Sequence, residues 1–362
     1  MGEVIRALGL MSGTSMDGVD AAILETDGER IAGFGRSAFH PYPEAMREVL
    51  RAGLGLWPEA PGVETIEAVV RAAHAEAVRG LGAVDLVGFH GQTLAHDPKG
   101  RGTHQVGRGD LLAAEVGAPV VWDFRVADVA SGGEGAPLVP FFHFACARFI
   151  GAERPVAFLN LGGVGNVTWV DPRAEAPEAP GALVAFDTGP GNALIDDFLK
   201  ARLGRAFDEG GALAASGRVD DAVLAGLSRH PYIERVPPKS LDRQDFHQFL
   251  DMVAHLSDAD GAATLAALTV ACVAEAARHF PEPPERWFVC GGGRRNAAVM
   301  GMLRARSNAP VEPVEAAGLD GDMLEAQAFA HLAVRVARGL ATSSPATTGA
   351  RLPVSGGRIS RP

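Results

Sequence analysis

Three runs of apolar residues in this chain break directly into glycine-rich turns, and that recurrence constrains the fold more than any other feature. Residues 4–10 lead into Met11-Ser12-Gly13-Thr14-Ser15-Met16-Asp17-Gly18-Val19-Asp20. Residues 156–161 lead into Gly162-Gly163-Val164-Gly165-Asn166, and residues 287–290 into Gly291-Gly292-Gly293-Arg294-Arg295-Asn296. A short apolar run bounded by turn residues reads as a buried strand. After the first turn, extended patterns resume at 21–25 and 31–39, and Ile66, Val69, Val70, Ala73 and Ala77 follow at helical spacing. After the second, 167–170 and 183–186 read as strands, and Leu194, Ile195, Phe198 and Leu199 share a helix face. Both halves therefore open as strand, glycine-rich turn, strand, strand, helix. The duplication is architectural, because the halves do not align as a repeat. The fold class is α/β, with duplicated mixed sheets.

The remaining elements follow the same logic. An apolar run at 84–89 ends in His90-Gly91-Gln92-Thr93; a helix is expected over 111–116 and a strand over 119–122. Residues 261–280 form a long Ala-rich helix, and the last clear helix covers 322–338. A chain of 362 residues is too long for one small core and predicts two domains. The first comprises 1–135 with 320–350, because the last helix crosses back; the second comprises 136–319. From Gly339 the composition turns to Ser, Thr, Pro and Gly, so 351–362 is expected to be a mobile tail.

Composition narrows the function classes. The net charge is −11 and no long basic stripe occurs, which argues against a nucleic-acid partner. Cys146, Cys272 and Cys290 are odd in number and far apart, implying neither a zinc site nor a disulfide framework and fitting a reducing cytoplasm. The N-terminus lacks the charged and long apolar regions of a signal peptide. No stretch offers the roughly 18 uninterrupted apolar residues of a membrane helix.

Glycine lets a ligand approach the backbone closely, so each glycine-rich turn is a candidate phosphate or nucleotide seat. None is a Walker A loop, for no Gly-Lys-Ser/Thr follows. In the first turn, Thr14 and Ser15 can donate to phosphate oxygens, and Asp17 or Asp20 can orient Mg²⁺ through water; an ordinary hairpin is the competing reading. The Gly291–Gly293 turn can lie against adenine or ribose, or serve only a close strand–helix crossing. Two such turns opening the halves, with a third late in the chain, resemble the kinase, Hsp70 and actin superfamily. That likeness implies a two-lobed, RNase H-like fold with a nucleotide in the cleft between the lobes.

Asp187 ends an apolar run and precedes Thr-Gly-Pro-Gly-Asn, a turn that exposes it. A carboxylate there suits general-base work. The competing role is a helix N-cap, for which Asn192 is better placed. His90, Gln92 and Thr93 cluster at a strand end, suited to reading sugar hydroxyls or to turn chemistry alone. Arg125 can take a substrate carboxylate bidentately or lock a neighbouring Asp. Glu325 either reaches the site or is a first-turn acid favoured by the helix dipole.

The chain resembles the anhydro-N-acetylmuramic acid kinase family. The matching segments are Gly-Leu-Met-Ser-Gly-Thr-Ser-Met-Asp-Gly-Val-Asp (9–20), Gly-Phe-His-Gly-Gln-Thr (88–93), Trp-Asp-Phe-Arg-Val-Ala-Asp (122–128), Gly-Gly-Glu-Gly-Ala-Pro-Leu-Val-Pro (132–140), Leu-Asn-Leu-Gly-Gly-Val-Gly-Asn-Val-Thr (159–168), Phe-Asp-Thr-Gly-Pro-Gly-Asn (186–192) and Cys-Gly-Gly-Gly (290–293). They span nearly the whole chain in the family's order. The resemblance implies ATP-dependent opening of a 1,6-anhydro amino sugar with phosphorylation of O6, in cell-wall recycling. It makes Asp187 the base that activates water. The family's phosphate-binding stretch matches Gly13, Thr14, Ser15, Met16, Asp17, Gly18, Val19 and Asp20; from the other two glycine-rich turns, Gly162, Gly163, Asn166, Gly291, Gly292 and Gly293 are expected at the phosphate or nucleotide as well. Gln92, Thr93, Arg125 and Glu325 are expected at the sugar, Mg²⁺ arrives with ATP, and a homodimer is suggested.

The sequence departs from the family at three places. Pro237-Pro238 is followed by Lys239-Ser240-Leu241-Asp242-Arg243-Gln244 where Lys-Ser-Thr-Gly-Arg-Glu is common, which leaves the role of 237–246 open. Gly165 replaces Ala and Glu134 replaces Gln. Two other classes compete: another small-sugar kinase of the same fold, and an ATP-gated binding protein of the Hsp70 or actin kind. The second leaves the His-Gly-Gln-Thr and Asp-Phe-Arg clusters without a role.

Overall fold

The computed structural model describes residues 2–13, 15–226, 230–241 and 245–362. They form two compact units, Met1–Phe149 with Met323–Pro362, and Ile150–Asp322.

In the first unit β1 (Ile5–Ser12), β2 (Gly18–Thr26) and β3 (Ile31–Pro41) form an antiparallel meander. β4 (Leu86–Asp97) lies parallel to β1, β5 (Gly102–Val106) folds back on β4, and β6 (Val120–Trp122) continues the parallel side. In the second unit β7 (Val156–Leu161), β8 (Val164–Val170) and β9 (Leu183–Pro190) repeat the meander. β10 (Trp287–Cys290) and β11 (Val311–Pro313) extend it in parallel. The two sheets read β3-β2-β1-β4-β6 and β9-β8-β7-β10-β11, the same order, with β12 (Arg358–Ser360) added to the far edge of the first.

Parallel strands at the centre of a sheet are covered on both faces and so read as continuous apolar runs. Ala7, Leu8, Leu10 and Val87 have no exposed surface. The helix Leu324–Ala337 packs against β1 and β4. A Cβ on Gly9 would lie 1.7 Å from the Ala326 carbonyl oxygen, and one on Gly88 2.2 Å from that of Phe329. Only glycine lets this helix approach so closely. In the second unit the helix Asp258–Ala276 is buried continuously from Gly261 to Val273. The stretch Asp258–His279 is long and apolar enough to cross a membrane by composition, yet 78% of that window is buried inside the protein, which makes it a core helix.

Two boundaries differ from those expected. The first unit runs on to Phe149 instead of ending near 135, because the buried helix Pro140–Phe149 packs on Leu324–Ala337 and Phe149 meets Phe34 edge-on at 5.2 Å. Residues 351–362 are not a loose tail. β12 pairs antiparallel with β6, Trp122 Nε1 donates to Ser360 Oγ at 3.0 Å, and Arg358 pairs with Asp123 at 2.8 Å. The polar composition that suggested mobility supplies the hydrogen bonds that fix this segment.

Candidate active site

β7 and β10 are neighbours, and their C-terminal ends bring two glycine-rich turns together in the second unit. The start of the helix Ala193–Leu203 joins them. Asn192 N–H donates to Gly162 O at 2.7 Å, and Gly191 and Ala193 N–H donate to Gly163 O at 2.9 and 3.1 Å. Asn192 occupies the N-cap position without a side-chain cap; its Nδ2 donates to Leu161 O at 2.9 Å. A Cβ on Gly293 would sit 2.5 Å from Leu161 Cβ.

The glycines of this cluster divide into two kinds. Gly291 has φ +70°, and a Cβ there would lie 2.3 Å from Asn160 Oδ1, so its own fold demands glycine. Gly162, Gly163 and Gly292 have no left-handed φ, and an added Cβ would meet nothing closer than 3.7, 3.8 and 3.7 Å. Nothing inside the protein requires glycine at these three. Their open faces are what a backbone that seats a ligand needs.

Asp187 sits on β9 opposite Asn166 of β8. Its Oδ2 accepts from Leu241 N–H at 2.9 Å. Burial pushes the carboxyl up to about 6 from the usual 3.8, and the Leu241 hydrogen bond opposes that shift. Tyr232 OH donates to Asp187 O at 2.6 Å, and Asp187 N–H donates to Lys239 O at 3.1 Å.

In the first unit the opening turn joins β1 to β2; Thr14 lies outside the described residues. Gly13 is open, its added Cβ meeting only Ser15 Oγ at 3.6 Å. Ser15 Oγ donates to Asp17 Oδ1 at 2.7 Å, both residues being exposed. Met16 and Val19, expected at the phosphate, bury their side chains in the core and leave only backbone for a ligand. Gly18 is closed as well, since a Cβ there would lie 2.4 Å from His40 O. Asp20 is half-buried on β2. Among the described residues no group of three His, Cys, Asp or Glu could hold a metal. Asp17 and Asp20 are hard oxygen donors, which fits Mg²⁺ held mainly by phosphates and water.

Gln92, expected at the sugar, is fully buried and turned inward. Its Nε2 donates to Gly13 O at 3.1 Å, and its Oε1 accepts from Ser12 Oγ at 2.5 Å. Ser12 accepts in turn from Tyr42 OH at 2.8 Å. Both ends of the amide help to hold the first turn. Ser12 and Tyr42 went unrecognised in the sequence, because Tyr42 lies 30 residues from its partner.

Arg125 Nε–H donates to His90 Nε2 at 3.1 Å, and its NH1 donates to Gly135 O at 2.6 Å. The ring therefore accepts at Nε2 and donates from Nδ1 to Gly91 O at 2.8 Å. Burial holds His90 well below its usual range, so it is neutral. Burial also lowers Arg125 to about 10, opposed by Glu325 and Asp128. Burial raises Glu325, opposed by Arg125. Among the described residues no carboxylate bonds Arg125 directly, although Glu325 and Asp128 both act on its charge. Thr93 is half-buried on β4 and accepts from Gln105 Nε2 at 3.2 Å. Thr93, Arg125 and Glu325 thus all lie in the first unit, with Arg125 bonded to buried His90 and under the charge of Glu325.

Two units built on one sheet order, with open glycine turns at strand ends and a buried carboxylate on the third strand of the second sheet, define the actin, Hsp70 and sugar-kinase class. Residues 5–361 match the family described as anhydro-N-acetylmuramic acid kinase, and the chain belongs to that family. An anhydro-N-acetylmuramic acid kinase of Cereibacter sphaeroides is 63% identical over 100% of this chain and 97% of its own. One of Ruegeria sp. is 59% identical, covering 99% and 95%, and one of Acidiphilium cryptum 51%, covering 99% of each.

Proposed function

We propose that this protein is an ATP-dependent sugar kinase that hydrolytically opens 1,6-anhydro-N-acetylmuramic acid and phosphorylates O6. The product is N-acetylmuramic acid 6-phosphate, destined for peptidoglycan recycling. The observation that carries the mechanism is the Asp187 carboxyl, which sits beside the bulge inside β9 and is raised by burial to about 6. Near neutral pH it is ionised yet basic enough to take a proton from water. The oxygen of that water adds to C1 as the C1–O6 bond breaks. O6 then attacks the γ-phosphorus of ATP, ADP leaves, and the proton on Asp187 returns to solvent.

The open glycines at 13, 162, 163 and 292 support backbone contact with ATP. Mg²⁺ bound with the nucleotide supplies neutralising charge, and Asp17 and Asp20 would hold its water shell. Arg125 directs its guanidinium at the carboxylate of the sugar, with Glu325 and Thr93 beside it. A cytoplasmic setting is part of this reading. A homodimer belongs to the same reading.

The test is turnover of the anhydro sugar and ATP in water enriched in heavy oxygen. Wild type is expected to give 6-phosphate carrying the label at C1, and Asp187→Asn to lose nearly all activity. Absence of phosphorylated sugar from the wild type refutes the substrate. Full activity in the variant removes Asp187 as the base.

A further inference from the structure

We infer that residues 230–241 are a positioning clamp for Asp187, with the Tyr232 hydroxyl and the Leu241 amide as its working groups. The inference rests on the reading of Asp187 as the base and concerns what aims it.

The ladder between β8 and β9 breaks at this point. Asn166 pairs with Asp187, but Gly165 pairs with Gly189, so Thr188 is an extra residue in β9. A bulge re-aims a side chain and weakens the pairing that would hold its peptide. The 230–241 segment supplies what the sheet does not. Tyr232 OH binds Asp187 O at 2.6 Å, Lys239 O binds Asp187 N–H at 3.1 Å, and Leu241 N–H binds Asp187 Oδ2 at 2.9 Å. Both main-chain polar groups and one carboxylate oxygen of Asp187 are fixed by a single segment.

That segment is itself tied down. Lys239 Nζ donates to Tyr232 O at 3.2 Å and lies 4.7 Å above the Tyr232 ring, which closes the segment on itself. The Tyr232 ring meets Phe246 edge-on at 5.9 Å, and the ring is buried. Lys239 is buried too, two residues before the sequence departs from the family pattern at Leu241.

The clamp assigns different work to the two carboxylate oxygens. Oδ2 is occupied by the Leu241 amide. Oδ1 has no hydrogen-bond partner among the described residues and is the oxygen left for the proton of water. A shift of the carboxylate by a fraction of an ångström moves Oδ1 off the water without touching either substrate. Such misplacement lowers kcat and leaves KM unchanged.

Tyr232→Phe removes the hydroxyl and keeps the ring. We expect kcat to fall about 10-fold, with KM for ATP and for sugar within about twofold of wild type. Leu241→Pro removes the donor N–H and Leu241→Ala retains it, so the proline variant should be slow and the alanine variant near wild type. Should Leu241→Pro not fold by its melting profile, Tyr232→Phe decides alone. Wild-type kcat in Tyr232→Phe overturns the clamp, as does a Leu241→Ala variant as slow as Leu241→Pro. Asp187→Asn, assayed alongside, separates the two ideas. An inactive Asp187→Asn with fully active Tyr232→Phe keeps the base and removes the clamp. An active Asp187→Asn removes both.

Discussion

At the scale of single residues, the Asp187 carboxyl sets a pH dependence whose sign can be worked out. Its folded value of about 6 exceeds the usual 3.8, so folding disfavours the ionised form. Well below 3.8 the carboxyl is protonated in both states and the penalty vanishes; it grows as pH rises through the interval from 3.8 to about 6 and is complete above about 6. That difference corresponds to roughly 3 kcal/mol as an upper figure. Asp187→Asn is therefore expected to be more stable than wild type at pH 8, by up to that amount, with most of the difference gone near pH 4. Thermal melts at the two pH values check this, and an equal difference at both contradicts it. The acid limb of kcat/KM in the wild type should have its midpoint near 6. Glycines give a second residue-level contrast. Gly162→Ala should raise KM for ATP with stability changed by less than about 1 kcal/mol, because its Cβ has space. Gly291→Ala should destabilise by about 1–3 kcal/mol, because it must hold φ +70° against Asn160. Calorimetry and ATP titration of both variants decide whether open and closed glycines differ in kind.

Asp187 was singled out in the sequence as the end of an apolar run before Thr-Gly-Pro-Gly-Asn; the strand in fact runs on to Pro190, because the bulge at Thr188 lets the Gly-Pro stretch keep pairing with β8. Tyr232 was not singled out, for its hydroxyl reaches Asp187 across 45 residues and a lone Tyr has no local signature. For Gln92 the sequence left two roles open, because strand-end polar residues can face a ligand or the turn; its bonds to Ser12 and Gly13 give it a part in the turn that the sequence did not reveal.

At the scale of elements, the central strands and long helices were legible from their apolar pattern. β5 and β12 were not, since Gly-Thr-His-Gln-Val and Arg-Ile-Ser carry too few apolar residues to declare a strand. The C-terminal segment has a structural purpose that composition concealed. Asp128 is buried and accepts from Gly135 N–H at 2.7 Å, from Thr348 Oγ1 at 2.7 Å and from Ser343 Oγ. It ties the chain end to the loop whose Gly135 carbonyl receives Arg125. Asp128→Ala strands three donors, one of them a buried backbone N–H. We expect a loss of about 2–4 kcal/mol in urea unfolding. KM for the sugar should rise as well, because Gly135 O no longer holds Arg125. Wild-type stability and KM together would show that the segment is held without Asp128.

At the scale of the whole molecule, one sheet order is used twice on sequences that do not align, so the pattern of burial, and not residue identity, is what the halves share. Each unit also has its own core. The cluster around Phe186, Phe198, Leu265 and Val289 lies wholly within Ile150–Asp322, and the cluster around Leu8, Ile23, Val70 and Phe89 lies wholly within the first. The second unit is one continuous segment, whereas the first needs the helix Leu324–Ala337 to cover β1 and β4. This asymmetry predicts different outcomes when the chain is divided. Residues 150–322 expressed alone should fold with a single cooperative melt, and residues 1–149 alone should not, because the face of β1 and β4 would be bare. If the cluster of Gly162, Gly163 and Gly292 seats the nucleotide, ATP with Mg²⁺ should raise the melting temperature of the isolated second unit. At ten times the dissociation constant the gain is about 1.4 kcal/mol, a shift of roughly 3–5 °C for a domain of this size. No sugar should be phosphorylated, since Arg125, Glu325 and the first turn are absent. A cooperative melt that ATP does not move would place the nucleotide's main contacts in the first unit. A melt without cooperativity would mean that the second core is not sufficient on its own.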